Sequence, residues 1–361
     1  MTNDETIMKE CIRLAAKGRG FVSPNPLVGS VIIKDNKIIG KGFHKKYGEA
    51  HAEVNAVIDA EKNGYSVKGA SIYVNLEPCA HHGKTPSCAE LIAVNKFREA
   101  VIGMQDPYRE VNGRGIEILK NAGIKIKTGV LENECRELNR FFVKFVTRKL
   151  PYVTLKIAQS IDGKIALNNF ESKYITGGAS GKIVHRLRSE YDAVLIGRNT
   201  ALRDDPSLDV RNVKGRNPLR IVIDRRNNLP EALKIFSDNT NDRSFVIADK
   251  SSGLKKSPKN LLQLKSENNR FRIKDILKLL YKFNLNSILV EGGSDLFSQF
   301  LSENLFDDIY LFIAPKVIGR GLSAFDGMEI NTLNDSVMLE TEKVIRADND
   351  ILIKYKKCSQ A

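Results

Sequence analysis

No run in this chain of 361 residues approaches the roughly 18 unbroken apolar residues that a bilayer-spanning helix requires, which argues against a membrane protein. The N-terminus, MTNDETIMKE, has neither the apolar centre nor the small-residue cleavage site of a secretory signal, so the cytoplasm is the expected compartment. Cysteine is scarce. The five present (Cys11, Cys79, Cys88, Cys135 and Cys358) are odd in number and widely scattered. That pattern excludes a disulfide framework and suits a reducing compartment with two or three working thiolates. Internal repeats are absent. A basic tail is missing too, although the net charge is +14: residues 1–150 hold 24 Lys and Arg against 17 Asp and Glu, and residues 151–361 hold 33 against 26. Each half therefore carries +7, a spread that suits either anionic small substrates or a chain rich in lysine and asparagine throughout. With no base-stacking motif and no clustered basic helix, a nucleic-acid partner is not expected.

What is present is an ordinary globular composition, 42% hydrophobic and 28% charged. The length exceeds what one core serves, so two domains of about 150 to 200 residues are expected. Residues 4–17 place Ile7, Cys11, Leu14 and Ala15 on one helical face and stop at Gly18 and Gly20. Val28–Ile33 and Lys37–Phe43 are strand-like runs about an Asp35-Asn36 turn. A helix is expected from His51 to Gly64, a strand over Ser71–Leu76, a helix capped by Ser87 from Cys88 to about Phe97, and a strand over Ala100–Met104. Arg148-Lys149-Leu150-Pro151 breaks the preceding helical pattern and marks the boundary. Beyond it, Tyr152–Ile157, Ala193–Ile196, Leu219–Asp224, Ser244–Ala248, Ser287–Val290 and Ile309–Ile313 are strands with helices between most of them, the pattern of a largely parallel sheet. Lys250–Asn269, rich in Lys, Ser and Asn, is expected to be a mobile surface stretch.

The chemistry concentrates in His51-Ala52-Glu53, Pro78-Cys79 and Cys88, the residue types of a hydrolytic zinc deaminase. Three protein ligands leave the fourth tetrahedral position for water, which separates a catalytic zinc from a closed structural one. Two thiolates and a neutral imidazole balance the ion's charge, and Glu53 is the expected proton shuttle to the ring nitrogen and the leaving ammonia, not a ligand. Helix starts at His51 and Cys88 would favour a thiolate there. Residues i and i+2 of a helix point apart, so His51 and Glu53 can share a site only if it lies end-on to the first turn. A non-catalytic zinc protein in which Glu53 is merely a helix-start carboxylate remains the alternative.

The common deaminase pattern has two residues between its cysteines, whereas eight separate Cys79 from Cys88. With that spacing, the run Glu77-Pro-Cys-Ala-His-His-Gly-Lys-Thr-Pro-Ser-Cys88 closely resembles the deaminase of bacterial riboflavin biosynthesis, as do Ser23-Pro-Asn-Pro-Leu-Val-Gly29 and Met104-Gln-Asp-Pro107. The similarity extends over effectively the whole chain, through Leu155-Lys-Ile-Ala-Gln-Ser-Ile-Asp-Gly163, Asp204-Asp-Pro206, Ile223-Asp224 and Glu291-Gly-Gly293. That family is the bifunctional diaminohydroxyphosphoribosylaminopyrimidine deaminase and 5-amino-6-(5-phosphoribosylamino)uracil reductase. The resemblance implies an α/β chain: a cytidine-deaminase-like α/β/α domain over residues 1–148, then a dihydrofolate-reductase-like α/β domain over 152–361. It implies Zn2+ and NADPH as cofactors, a phosphorylated pyrimidine as substrate, and a homo-oligomer, dimer or tetramer.

In the first domain, the resemblance implies that Asn25, His44, His81 and Lys84 contact the pyrimidine and the ribose phosphate. His82 stays open between a solvated loop residue and an alternative ligand. In the second, it implies that Ala158, Tyr174, Thr200, Asp204, Arg225, Gly293, Ser294, Asp295, Leu296, Phe297, Ser298 and Gln299 line NADPH, while Ser172, Arg188, Leu208, Arg211 and Glu291 hold substrate. Taken alone, Val290-Glu-Gly-Gly-Ser294 and Gly197-Arg-Asn-Thr200 are strand-to-helix turns that offer backbone N–H groups to phosphate, and neither is a GxGxxG fingerprint. Arg188 and Arg211 make chemical sense as phosphate partners, and Arg225 or Arg226 is expected at the 2′-phosphate of NADPH. Lys156 is either an aid to ring opening or a core-edge lysine.

Overall fold

The computed structural model describes residues 3–80, 87–237, 241–252 and 260–358. The chain divides into two compact units, residues 1–149 and 150–361.

The first unit runs α1 (Asn3–Ala15), β1 (Gly29–Lys34), β2 (Lys37–Phe43), α2 (Ala52–Lys62), β3 (Ser71–Leu76), α3 (Cys88–Val94), β4 (Glu99–Met104), α4 (Arg114–Asn121), β5 (Lys125–Thr128), α5 (Glu132–Leu138) and α6 (Arg140–Arg148). Its sheet has the order β2-β1-β3-β4-β5; β1 is antiparallel to β2 and β3, and the remaining pairs are parallel. Successive strand residues point to opposite faces, and both faces are covered. Ile32, Ile72, Val74, Ala100 and Ile102 pack with Ala56 and Ala60 of α2, Ile92 of α3 and Leu119 of α4. Val31, Ile33, Tyr73 and Val101 pack with Ile7, Met8, Cys11 and Leu14 of α1 and Cys135 of α5. The result is a helix–sheet–helix sandwich. The hairpin turn is a tight one, with φ of +50° at Asp35 and +58° at Asn36, the left-handed pair that matches the twist of the flanking strands.

Two first-unit expectations need correction. The helix expected from His51 starts at Ala52, with His51 extended at the N-cap. The helix expected to reach Phe97 ends at Val94, because Asn95 turns back onto Leu91 and Lys96 takes a positive φ of +54°.

The second unit runs β6 (Tyr152–Ser160), β7 (Lys164–Leu167), α7 (Gly178–Glu190), β8 (Ala193–Gly197), α8 (Arg198–Asp204), β9 (Leu219–Ile223), α9 (Lys234–Ser237), β10 (Ser244–Asp249), β11 (Leu261–Leu264), α10 (Ile273–Lys282), β12 (Ser287–Val290), α11 (Ser294–Ser302), β13 (Asp308–Ala314), β14 (Gly321–Ser323), β15 (Leu339–Ala347) and β16 (Asp350–Lys357). Nine strands form one sheet, β11-β10-β9-β8-β12-β6-β13-β16-β15, parallel from β11 to β13 and antiparallel over the closing β13-β16-β15 pairs. Val153, Leu155, Ile157, Leu195, Ile221 and Ile288 bury one face under Ile276 and Leu280 of α10 and Phe297 and Phe300 of α11. On the other face Thr154 and Tyr191, just past α7, join hydroxyls at 2.6 Å.

The stretch expected to be mobile between Lys250 and Asn269 contains the edge strand β11, where Leu262 is buried and the pairing to β10 is parallel. A four-residue run, Leu-Leu-Gln-Leu, was enough to add a strand to an existing edge.

Candidate active sites

The first site is assembled at the ends of β3, α2 and α3. α2 lies directly on β2, because Gly40 and Gly42 have no side chain to hold it off: a Cβ on Gly42 would stand 2.2 Å from the Ala52 carbonyl and 2.4 Å from the Ala56 nitrogen. That seating brings the start of α2 to the Cys79 turn beyond β3. His51 is in extended backbone just before the helix, and Glu53 is in its first turn, so the site does lie end-on to the helix and both side chains reach it. β3 runs into Glu77-Pro78-Cys79, and Cys88 opens α3 behind a capping box in which Ser87 and Glu90 satisfy each other's backbone N–H groups.

His51 Nδ1 lies 3.3 Å from Cys88 Sγ and 3.6 Å from Cys79 Sγ. One donor atom from each of the three residues falls within 4.8 Å of the others. Tetrahedral zinc with nitrogen and sulfur ligands at about 2.0 and 2.3 Å needs ligand atoms roughly 3.5 Å apart, so the trio fits such an ion and has the soft donors that favour it. The two thiols do not behave alike. Cys79 is pushed down to about 4, first by the hydrogen bond from the Cys88 thiol and then by His51 and the Cys88 backbone N–H, which donates to Cys79 Sγ at 3.3 Å. Cys88 is correspondingly raised, by that same contact and by burial. The N-terminus of α3, which Cys88 opens, thus also serves Cys79 through the Cys88 N–H. The His51 imidazole is raised by its hydrogen bond to Cys79. Glu53 is 3% exposed, and burial lifts its carboxyl above the usual range.

Around this centre, His44 is buried and stands edge-on to His51, with ring centroids 5.4 Å apart. His44 Nδ1 donates to the Ala50 carbonyl at 3.1 Å, which leaves Nε2 to accept from the Asn25 amide at 3.2 Å. The Asn25 loop is pinned through Leu27: Asn139 accepts from its N–H and donates to its carbonyl, and Asn75 also donates to that carbonyl. Asn25, His44, His51, Glu53, Cys79 and Cys88 therefore converge. His81, His82 and Lys84 lie outside the described residues.

Sequence reasoning missed Glu77. It is buried and accepts from four backbone N–H groups, those of Asp106, Gly113, Gly115 and Ile116, three of them at the start of α4. A carboxylate next to Pro78-Cys79 thus anchors the ligand loop to a helix N-terminus. No local pattern signals this, because the partners lie 29 to 39 residues away.

The second site is a cavity of about 1410 Å³ at the carboxyl ends of β6, β8, β9 and β12, where the strand order reverses between β8 and β12. Its wall includes Ala158, Ser172, Tyr174, Arg188, Thr200, Asp204, Leu208, Arg211, Arg225, Glu291, Gly293, Ser294, Asp295, Leu296, Phe297 and Gln299. Ser298 is the exception. It lies one turn along α11 from Ser294, 2% exposed, and its hydroxyl accepts from the N–H of Gly327, which does line the cavity. Gly292 has a φ of +138°, which only glycine adopts readily. The turn from β12 brings the start of α11 beside Thr200, and the N-cap Gly293 leaves that helix end without a side-chain cap.

Within the cavity Arg188 is already engaged through three of its five N–H donors. Its guanidinium forms a two-pronged pair with Glu291, at 2.6 and 2.8 Å, and a third donor meets the Asp209 carbonyl. This pairing holds the Glu291 carboxyl down at about 2 against the opposing effect of burial. Lys156 Nζ stands 3.7 Å from Glu291, its ammonium weakened by burial. Arg211 is exposed and paired with Asp209. Ser172 donates to Asp204 at 2.6 Å, and the Arg203 guanidinium covers the Phe170 ring, so the 170–172 loop is tied to α8 at two points. Arg198 is engaged by Asp224, while Arg225 and Arg226 follow it along the cavity rim.

Residues 1–104 match the family model for the cytidine and deoxycytidylate deaminase zinc-binding region, and residues 151–353 match that for the RibD C-terminal domain. Riboflavin biosynthesis protein RibD of Aquifex aeolicus is 40% identical over 360 residues, covering 98% of each chain. The Escherichia coli protein of the same name is 34% identical, covering 97% of this chain and 98% of its own. The crystal structure of a diaminohydroxyphosphoribosylaminopyrimidine deaminase/5-amino-6-(5-phosphoribosylamino)uracil reductase from Thermotoga maritima superposes with a TM-score of 0.90 at 39% identity, over 98% of this chain and 99% of that one. A zinc-binding deaminase region followed by a reductase domain, matched end to end at this level, means that the chain belongs to the RibD family of riboflavin biosynthesis proteins.

Proposed function

We propose that the chain carries out two consecutive steps of riboflavin biosynthesis. The first unit, residues 1–148, deaminates 2,5-diamino-6-(5-phosphoribosylamino)pyrimidin-4-one by hydrolysis. The second, residues 152–361, reduces the ribosyl group of the product with NADPH to give 5-amino-6-(5-phosphoribitylamino)uracil. The observation that carries this proposal is the joint presence of the His51, Cys79 and Cys88 trio beside a buried Glu53 and a separate cavity at the switch point of a parallel sheet.

In the first unit, His51, Cys79 and Cys88 would hold zinc, which would supply an activated water at neutral pH. Glu53 handles protons. It takes one from the attacking water and delivers it to the ring nitrogen, then takes the second from the added hydroxyl as the carbonyl forms and delivers it to the departing ammonia, a role for which a carboxyl lifted by burial is suited. Asn25, its amide oriented by His44, and His44 itself flank the ring; His81 and Lys84 complete the proposed substrate contacts, Lys84 toward the phosphate.

In the second unit, NADPH supplies a hydride to ribose C1, and the sugar opens to a ribityl chain. The unblocked start of α11 at Gly293 and Ser294 offers its N–H groups to the cofactor's phosphates. Ala158, Tyr174, Thr200, Asp204, Arg225 and the 295–299 segment are the proposed cofactor contacts. Ser298 acts there only by holding Gly327. Ser172, Arg188, Leu208, Arg211 and Glu291 are assigned to substrate, and Arg188 also holds Glu291 in place. We place the enzyme in the cytoplasm as a homo-oligomer, dimer or tetramer. Supporting the assembly are Val344 and Ile351, exposed on the β15-β16 hairpin. Cell fractionation and sedimentation check these two assignments, and a monomer in solution would contradict the second.

Glu53→Gln tests the deaminase assignment. The variant is expected to retain zinc while ammonia release falls by about 10²- to 10⁴-fold. Unchanged ammonia release would sink the proposed role.

A further inference from the structure

One wall of the reductase cavity is held from the far end of the chain. The segment Tyr174–Gly178 lines the cavity and leads into α7, whose N-cap, Gly177, has no side chain with which to cap its own helix. A carboxylate 173 positions later ties down the helix start instead: Asp350, at the start of β16, accepts from the Gly177 N–H at 2.7 Å and from the Ser180 hydroxyl at 2.6 Å, both on Oδ2. Asp350 is 4% exposed and is fixed by the pairing of β16 with β15. At the other end of the segment, Lys316 Nζ donates to the Tyr174 carbonyl at 2.8 Å. Lys316 follows β13, and its own stretch is tied down by Asp162, which accepts from the Ile318 and Gly319 N–H groups. Five residues of cavity wall are therefore bracketed by two side chains from the C-terminal quarter of the sequence, and neither of those side chains lines the cavity.

We propose that Asp350, with Lys316 as its counterpart, is a positioning residue for NADPH: it holds the Tyr174–Gly178 wall in its binding shape before the cofactor arrives. The inference rests on the assignment of this cavity to NADPH. Two physical consequences follow. A wall ordered in advance spares the cofactor the entropy of ordering it, so the bracket acts on affinity more than on the chemical step. The Asp350 carboxylate also places a negative charge at the N-terminus of α7, the favourable sign for a helix start.

The test measures NADPH affinity by fluorescence titration and NADPH oxidation kinetics in the full-length protein, for the wild type, Asp350→Ala, Asp350→Asn, Ser180→Ala and Lys316→Ala. In Asp350→Ala, the Kd and KM for NADPH are expected to rise about 3- to 10-fold, with kcat at saturating NADPH and ammonia release within twofold of wild type. Asp350→Asn keeps an acceptor oxygen for Gly177 and should recover most of the affinity; Ser180→Ala and Lys316→Ala, each losing one contact, should fall between. If Asp350→Ala does not fold, the ordering of the other three carries the same information. Unchanged NADPH affinity in the folded variants, or a fall in kcat with KM untouched, would overturn the proposal. Failure of the wild type to bind NADPH at all would instead remove the cofactor assignment beneath it.

Discussion

Arg188 and Arg225 both read from the sequence as anion partners, and the structure separates them. Three of the five N–H donors of Arg188 go to Glu291 and the Asp209 carbonyl in a buried pair, and removing Glu291 would leave the guanidinium without its carboxylate. Arg225 has its backbone fixed by the Asp249 N–H, which donates to its carbonyl, while its side chain borders the cavity. Charge-assisted hydrogen bonds to phosphate contribute about 1.5–3 kcal/mol. Arg225→Ala is accordingly expected to lower the preference for NADPH over NADH by about 10- to 100-fold, measured as the ratio of the two kcat/KM values. An unchanged ratio in both Arg225→Ala and Arg226→Ala would place the 2′-phosphate elsewhere. Residue types could be read from the chain, but their pairing could not, because Arg188 meets a carboxylate 103 positions away. The two cysteines teach the same lesson: a helix start at Cys88 pointed to that thiol, and the N–H it frees is directed at Cys79.

At the scale of elements, the position of the zinc ligands depends on how closely α2 sits on β2. A Cβ at Gly42 has the Ala52 carbonyl and the Ala56 nitrogen in its way, both backbone, so the helix itself must move. Gly42→Ala is expected to cost about 1–3 kcal/mol in the first unit. Because His51 and Glu53 ride on that helix start, zinc content should drop and ammonia release fall at least tenfold, with reduction of the deaminated substrate unchanged. Full deaminase activity with full zinc would show that α2 is not what positions the ligands. The elements legible in the sequence were those with strong patterning: the one-faced α1, the Asp35-Asn36 hairpin, and the apolar strands β3, β8 and β12. Those missed carry weak signals. α4 begins after a glycine with no side-chain cap, and β15 is exposed along most of its length, so neither capping chemistry nor alternation announces it. The bracket from Asp350 was invisible for the same reason.

For the whole molecule, each unit has its own core, and every residue assigned to a step lies within the unit that performs it. The even +7 on each half suits two sites that both receive a phosphorylated ligand. The order of the two steps is the central claim, and one experiment addresses it directly: incubate the full-length enzyme with 2,5-diamino-6-(5-phosphoribosylamino)pyrimidin-4-one, with and without NADPH, and follow ammonia and NADPH together. The account predicts ammonia release at the same rate in both samples, with NADPH oxidation beginning only as the deaminated product accumulates. NADPH oxidation without prior ammonia release, or ammonia release that requires NADPH, would contradict it.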